Sequence, residues 1–211
     1  MDHLIDHYIE SLLPRRSELF RQMEKFAEKE HVPIMEQTAI EVMLQFLRIQ
    51  NPAKILEVGT AIGYSALRMA DALPEAEIIT IEKDPARAEQ ARNYIEAAGK
   101  DDRITVLEGD ALELGERVTE LGPYDAIFID AAKGQYMKFF NMYSPLLRER
   151  GCIYSDNVLF RGYVAEEEVN QRRFRSLARK MKEFNRFLMG HDGYITTIIP
   201  VGDGLAVSKK R

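Results

Sequence analysis

Ile55-Leu56-Glu57-Val58-Gly59-Thr60-Ala61-Ile62-Gly63-Tyr64-Ser65 is the stretch on which the reading of the whole chain turns. A short apolar run ends in an acid, two glycines follow four residues apart, and helix-compatible sequence comes next. That order reads as a buried strand, a tight turn and a helix start. Glycine at 59 and 63 lets the backbone take positive φ and come close to a ligand that a Cβ would hold off. The corner is of the nucleotide-binding kind, yet it fits neither familiar phosphate motif. A phosphate-binding loop ends in Gly-Lys-Ser/Thr, and Gly63-Tyr64-Ser65 has no lysine; the dinucleotide fingerprint needs glycine where Ala61 stands. An acid at the strand end, Glu57, would repel a pyrophosphate. The ligand should carry positive charge and hydroxyls, as S-adenosylmethionine does with its ammonium, sulfonium and ribose diol. The competing reading is a strand-turn-helix corner of some other α/β protein.

Length and composition bound the rest. The 211 residues, 45% apolar and 30% charged, suit one ordinary globular domain with additions. We expect residues 1–50 to form an N-terminal helical extension and 51–211 a Rossmann-like core. A net charge of -5 argues against a generally basic nucleic-acid coat but leaves room for a local basic face. The single cysteine, Cys152, excludes an internal disulfide and a multi-cysteine zinc site and suits a reducing cytoplasm. No apolar stretch approaches membrane-spanning length, and the first residues read as a polar-faced helix rather than a leader. The expectation is a soluble, unprocessed, cytoplasmic protein with no membrane partner.

Leu4, Ile5, Tyr8, Ile9 and Leu12, then Leu19, Met23 and Phe26, then Ile40, Met43, Leu44 and Leu47 recur at helical spacing and predict three helices before the first strand. Such a preface must cover the sheet, the ligand or another subunit. The loop His31-Val32-Pro33-Ile34-Met35 could reach a cofactor, although Met35 alone reads equally as packing. After the glycine corner, Glu77 to Glu82 is a second strand. Its terminal acid stands where a carboxylate holds a ribose diol, so Glu82 is the expected ribose ligand. Ile104 to Leu107 is a third strand leading to Asp110 and Ala111. Asp110 either accepts the adenine amino hydrogens or caps the next helix.

The fourth strand, Ala126 to Ile129, delivers Asp130, and the fifth, Cys152 to Ser155, delivers Asp156 and Asn157. In a doubly wound sheet the ligand crevice lies outside the carboxyl ends of the strands, so these three side chains should converge. Two carboxylates and an amide oxygen suit a hard cation, Mg2+ first, with Mn2+ or Ca2+ as alternatives. Lys133, three residues past Asp130, is a candidate general base beside that cation or else a solvated lysine at a helix start. The histidines show no ligand spacing and read as surface residues. A long helix is expected from Ala165 to Met189. Two strands, Tyr194 to Ile199 and Gly204 to Ser208, should close the seven-stranded, mostly parallel sheet as an antiparallel hairpin.

These residues resemble one family: the metal-dependent class I S-adenosylmethionine O-methyltransferases of the catechol and caffeoyl-coenzyme A type. The likeness runs from Val32-Pro33-Ile34-Met35 through Ile55 to Gly59 and Phe128-Ile129-Asp130-Ala131-Ala132-Lys133 to Ser155-Asp156-Asn157-Val158-Leu159. It implies that Asp130, Asp156 and Asn157 hold Mg2+ and that Lys133 is the base, with Asp130 sharing the catalytic centre. It also implies that Met35, Glu57, Gly59, Gly63, Ser65, Glu82, Asp110, Ala111 and Asp130 surround the cofactor, and that the protein is a homodimer. Within the family the compact N-terminus and the basic last helix are most similar to bacterial tRNA 5-hydroxyuridine methyltransferases, which act on the wobble base in the anticodon loop. A small hydroxylated aromatic of the catechol kind is the alternative substrate, since both offer two adjacent oxygens. Arg172, Arg173, Arg175, Arg179, Lys180, Lys182 and Arg186 against the single acid Glu183 read either as a phosphate-binding face or as a solvated one. Two readings from other classes are a nicotinamide-dependent oxidoreductase, weakened by the missing third glycine, and a non-catalytic module that keeps only the cofactor pocket.

Overall fold

The computed structural model describes residues 3–167 and 169–211, without the side chains of His3 and Asp6. Three helices come first: α1 (His3–Leu12), α2 (Glu18–Lys29) and α3 (Gln37–Gln50). Ser17 caps α2 by accepting from the Phe20 amide, and Asn51 ends α3 in the left-handed region at φ 51°, directly before Pro52. Seven strands follow: β1 (Lys54–Val58), β2 (Glu77–Glu82), β3 (Ile104–Glu108), β4 (Tyr124–Ile129), β5 (Leu147–Ser155), β6 (Tyr194–Ile199) and β7 (Leu205–Lys210). They form one sheet in the order β3-β2-β1-β4-β5-β7-β6. The first five are parallel, and β7 runs antiparallel to both β5 and β6. The expected sheet, hairpin included, is the one observed.

Five helices flank it: α4 (Tyr64–Ala72), α5 (Pro85–Ala97), α6 (Gly115–Leu121), α7 (Tyr136–Tyr143) and α8 (Arg172–Met189). Period-two alternation sends neighbouring strand residues to opposite faces. Ile55, Ile78, Phe128 and Tyr154 join α2, α3, α4 and α5 in one core. Leu56, Val58, Ile79, Ile127, Ile129 and Ile153 join α6, α7 and α8 in the other. Strand order reverses between β1 and β4, which opens the crevice at their carboxyl ends.

Two expectations need correction. The last helix starts at Arg172, not at Ala165. Carbonyls before it are bonded by side chains from the helix itself, Arg175 Nε to Val169 O at 2.8 Å and Lys182 Nζ to Glu166 O, so the chain folds back along α8 instead of extending it. His191 is no isolated surface residue: its ring packs against Phe140, Phe187 and Tyr194.

Candidate active site

A cavity of about 490 Å³ opens at the carboxyl ends of β1 to β4, within the size range of small-molecule sites. Met35, Gly59, Ser65, Glu82, Asp110, Ala111, Asp130, Lys133 and Asn157 line it. Glu57, Gly63 and Asp156 do not.

Glu57 and Gly63 are kept out of the lining for physical reasons. Glu57 pairs with Thr80 across β1 and β2, and the alternation of β1 turns its side chain into the layer under α4. There it is fully buried and accepts from the Ser65 and Thr80 hydroxyls. Burial pushes its carboxyl up from 4.5 to about 8 against the lowering effect of those two hydroxyls. The acid expected against the ligand thus lies below the turn and touches the cavity through Ser65. Gly63, at φ 83°, forms the left-handed N-cap of α4, and a Cβ there would lie 3.3 Å from Ala91 Cβ. Gly59 has φ 107°, and a Cβ on it would sit 2.0 Å from the Asp130 carbonyl oxygen. What comes close to both glycines is the protein's own backbone and side chains.

The wall formed by β1 to β3 is held by main-chain bonds. Glu82 Oε2 accepts from the Ala61 amide at 2.7 Å and Oε1 from the Asp84 amide at 2.9 Å. Ala61 itself stands at φ 47°, and that bond holds the tip of the glycine turn against β2. Asp110 caps no helix: its Oδ1 accepts from the Leu112 amide at 2.9 Å and its Oδ2 from Lys83 Nζ at 2.7 Å. The lysine bond holds the Asp110 carboxyl below its usual value.

The other wall is held by side chains. Asp130 and Asp156 extend the ladder, since Asp130 N donates to Val58 O and Asp156 N to Ile129 O, both at 3.0 Å. Asn157 adopts φ 61°, a left-handed conformation that asparagine tolerates and that often marks a functional turn. Its Nδ2 donates to Asp156 Oδ2 at 2.6 Å and to Asp130 Oδ1 at 3.4 Å, and its Oδ1 accepts from Lys133 Nζ at 2.7 Å. Burial raises both aspartyl carboxyls, and the charge of Asp130 raises Asp156 further. Asp156 is 3% exposed, and its Oδ1 has no hydrogen-bond partner.

That orphaned oxygen, between two crowded acids, is what a hard cation would satisfy. The donor set of two carboxylates and an amide fits such an ion. Among the described residues no group of three or more histidine, cysteine, aspartate or glutamate side chains is placed to hold one.

A sequence profile described as O-methyltransferase matches residues 10–211. The chain belongs to the S-adenosylmethionine-dependent O-methyltransferase family. A catechol O-methyltransferase from Niastella koreensis is 30% identical over 217 residues, covering 97% of this chain and 95% of that protein. A Staphylococcus aureus crystal structure described provisionally as a caffeoyl-CoA O-methyltransferase superposes with a TM-score of 0.93 at 35% identity, over 99% of this chain and 100% of that one. An O-methyltransferase from Bacillus cereus, solved with S-adenosylhomocysteine, gives a TM-score of 0.87 at 25% identity over 99% and 97% of the two chains. Family membership removes the nicotinamide oxidoreductase. Among the described residues no helix is long and apolar enough to cross a membrane.

Several wall residues of this methyltransferase escaped the sequence reading. Thr60, Ala61, Tyr64, Lys83, Gln135 and Phe139 all line the cavity. Tyr64 follows the turn glycine directly, and its hydroxyl joins Glu24, Gln37 and Arg68, so α2 and α3 are tied to the start of α4. Its place after Gly63 was the available signal. Lys83 could have been read from its adjacency to Glu82. Gln135 and Phe139 carried none until the turn after Asp130 was known.

Proposed function

We propose that the chain transfers a methyl group from S-adenosylmethionine to one of two adjacent oxygens of its acceptor, with a divalent cation held by oxygens of Asp130, Asp156 and Asn157. The observation that carries this reading is the unpartnered Asp156 Oδ1, buried directly behind the end of the cavity that Asp130, Asn157 and Lys133 line. When bound, the cation, Mg2+ by preference, lowers the pKa of the acceptor hydroxyl and orients it. Lys133 Nζ, already within hydrogen-bond range of Asn157, takes the hydroxyl proton. Glu82, held by two amides, presents its carboxylate to the ribose diol. Met35, Ser65, Asp110 and Ala111 complete the co-substrate wall. The acceptor oxygen then attacks the methyl carbon in line with the departing sulfur, and positioning of the pair can supply about 7–11 kcal/mol.

The acceptor we propose is 5-hydroxyuridine in a tRNA anticodon loop, in the cytoplasm. Its support is the position of α8. The helix packs on the turn Lys133–Gln135, and a Cβ on Gly134 would be 3.6 Å from Lys180 Nζ. Arg172, Arg173, Arg175, Arg179, Lys180 and Arg186 are exposed on its outer surface, so a cationic face borders the rim of the acceptor end. Phosphates would meet it there and give salt-sensitive affinity. A small catechol-like acceptor is the second reading, favoured by the names of the relatives. Replacing the exposed Arg172, Arg173 and Lys180 together by alanine should abolish methylation of hydroxyuridine-containing tRNA at moderate salt and leave catechol methylation unchanged. Equal rates on tRNA before and after replacement contradict the RNA reading.

A homodimer is part of the same proposal. Ile5, Tyr8 and Leu12 of α1 are 58%, 64% and 65% exposed along one stripe, α1 packs on α3, whose Ile49 is 74% exposed, and a second copy would cover these side chains.

A further inference from the structure

We infer that Gln135 is a specificity-determining residue: its side-chain amide pairs with an imide edge of the acceptor, a carbonyl beside an N–H, and so selects a hydroxylated pyrimidine over a catechol. The inference deepens the hydroxyuridine reading and rests on it. Gln135 lines the cavity together with Lys133, Phe139 and Asn157, at the acceptor end. Its Oε1 is buried against the protein with no hydrogen-bond partner, a costly arrangement that rotation of the side chain toward a methyl acceptor in the cavity would relieve.

The backbone beneath it is fixed. Gln135 N donates to Ala132 O at 2.8 Å, and the preceding Gly134 packs against Leu177 and Lys180 of α8. Phe139 lies one helical turn farther along α7, 4% exposed, and adds a flat apolar surface to the same wall. An amide for the edge and a ring for the face are the two contacts that a flat, edge-polar heterocycle requires.

The chemistry separates the two candidate acceptors. In 5-hydroxyuracil the hydroxyl and the O4 carbonyl are the adjacent oxygens that would approach Asp130, Asp156 and Asn157. The N3–H stands beside O4, on an edge that continues to the O2 carbonyl. Along one edge a primary amide presents an acceptor beside a donor, which matches an N–H next to a carbonyl. A catechol has only ring C–H at the corresponding places. It can present its two oxygens equally well but leaves Gln135 unpartnered, and a site with an unfilled polar group discriminates against the analogue that fails to fill it.

The test compares wild type, Gln135→Ala and Gln135→Leu on three acceptors: 5-hydroxyuridine in an anticodon stem-loop, the same stem-loop methylated at N3 of that base, and catechol. Binding of S-adenosylhomocysteine is measured by calorimetry in parallel. Both variants should lower kcat/KM for the hydroxyuridine stem-loop by roughly tenfold or more, leave catechol within about twofold, and keep wild-type affinity for S-adenosylhomocysteine. Wild type should lose a similar factor on the N3-methylated stem-loop, with no further loss in either variant. Equal losses on hydroxyuridine and catechol, weakened S-adenosylhomocysteine binding, or an N3-methylated acceptor as good as the parent would each overturn the role of Gln135. Failure of the hydroxyuridine reading is visible in wild type alone, as catechol turnover with none of either stem-loop, and would take this inference with it.

Discussion

The two walls of the cavity are built in opposite ways. On the β1–β3 side the key carboxylate, Glu82, is gripped by two main-chain amides, one of them at the tip of the turn set by Gly59 and Gly63. On the β4–β5 side Asp130, Asp156, Asn157 and Lys133 are held chiefly by one another, with one buried oxygen left over. A wall held by backbone is rigid before its ligand arrives, because its donors are fixed by the sheet. A wall of mutually bonded side chains can exchange those bonds for bonds to an incoming ion or oxygen. The first suits a co-substrate bound in every turnover, the second an acceptor that must be gripped, deprotonated and released.

The walls meet at Gly59, and the largest effect is expected there. Gly59→Ala puts a Cβ into the Asp130 carbonyl at a backbone angle that disfavours side chains, which should cost on the order of 3 kcal/mol or more and lower the thermal midpoint by about 6–12 °C. Calorimetric unfolding checks this, and an unchanged midpoint would mean that the walls are not joined through this contact. The next effect separates them. Glu82→Ala removes the carboxylate proposed to hold the ribose and should weaken S-adenosylhomocysteine binding by roughly 10–100-fold, leaving the response of methyl transfer to added Mg2+ unaltered. A variant that loses metal response but keeps co-substrate affinity would reverse the assignment of the walls.

A third effect concerns Glu57, an acid buried behind the backbone-held wall. Its carboxyl is raised in the folded chain from 4.5 to about 8, so its contribution to stability is complete below pH 4.5 and is lost as pH rises toward 8. Glu57→Gln has no such proton to lose. Between pH 5 and pH 8.5 the thermal midpoint of the ligand-free wild type should fall by roughly 5–15 °C more than that of the variant. Parallel curves would show that Glu57 ionises as freely in the folded chain as in the unfolded one.

The same contrast explains what could be read without coordinates. Strand ends announce themselves by an apolar run followed by an acid, which is how Glu82, Asp130 and Asp156 were legible, and the sheet with its closing hairpin followed from their spacing. Where an acid points is a different matter. Glu57 reaches the cavity only through Ser65, because alternation along β1 turns its side chain under α4, and which face of the strand carries the cavity is set by the packing of the whole sheet. The start of α8 was misjudged because Arg175 and Lys182 bond carbonyls upstream of the helix, a tertiary arrangement that periodicity does not reveal. Tyr64, Gln135 and Phe139 entered the wall through turns and helix phases that fix direction only after folding. The sequence pattern thus marks which residues reach the crevice from strand ends, and the helices decide which others face it.

The central claim is that the side-chain-held wall takes up a divalent cation through Asp156 and its neighbours. Electron paramagnetic resonance titration of Mn2+ into the protein, in the presence of S-adenosylhomocysteine, tests it most directly. One Mn2+ per chain is expected, displaced by Mg2+, with the bound signal absent in Asp156→Ala although that variant still binds S-adenosylhomocysteine. A bound Mn2+ that survives Asp156→Ala unchanged, or no bound Mn2+ in wild type, would contradict the account.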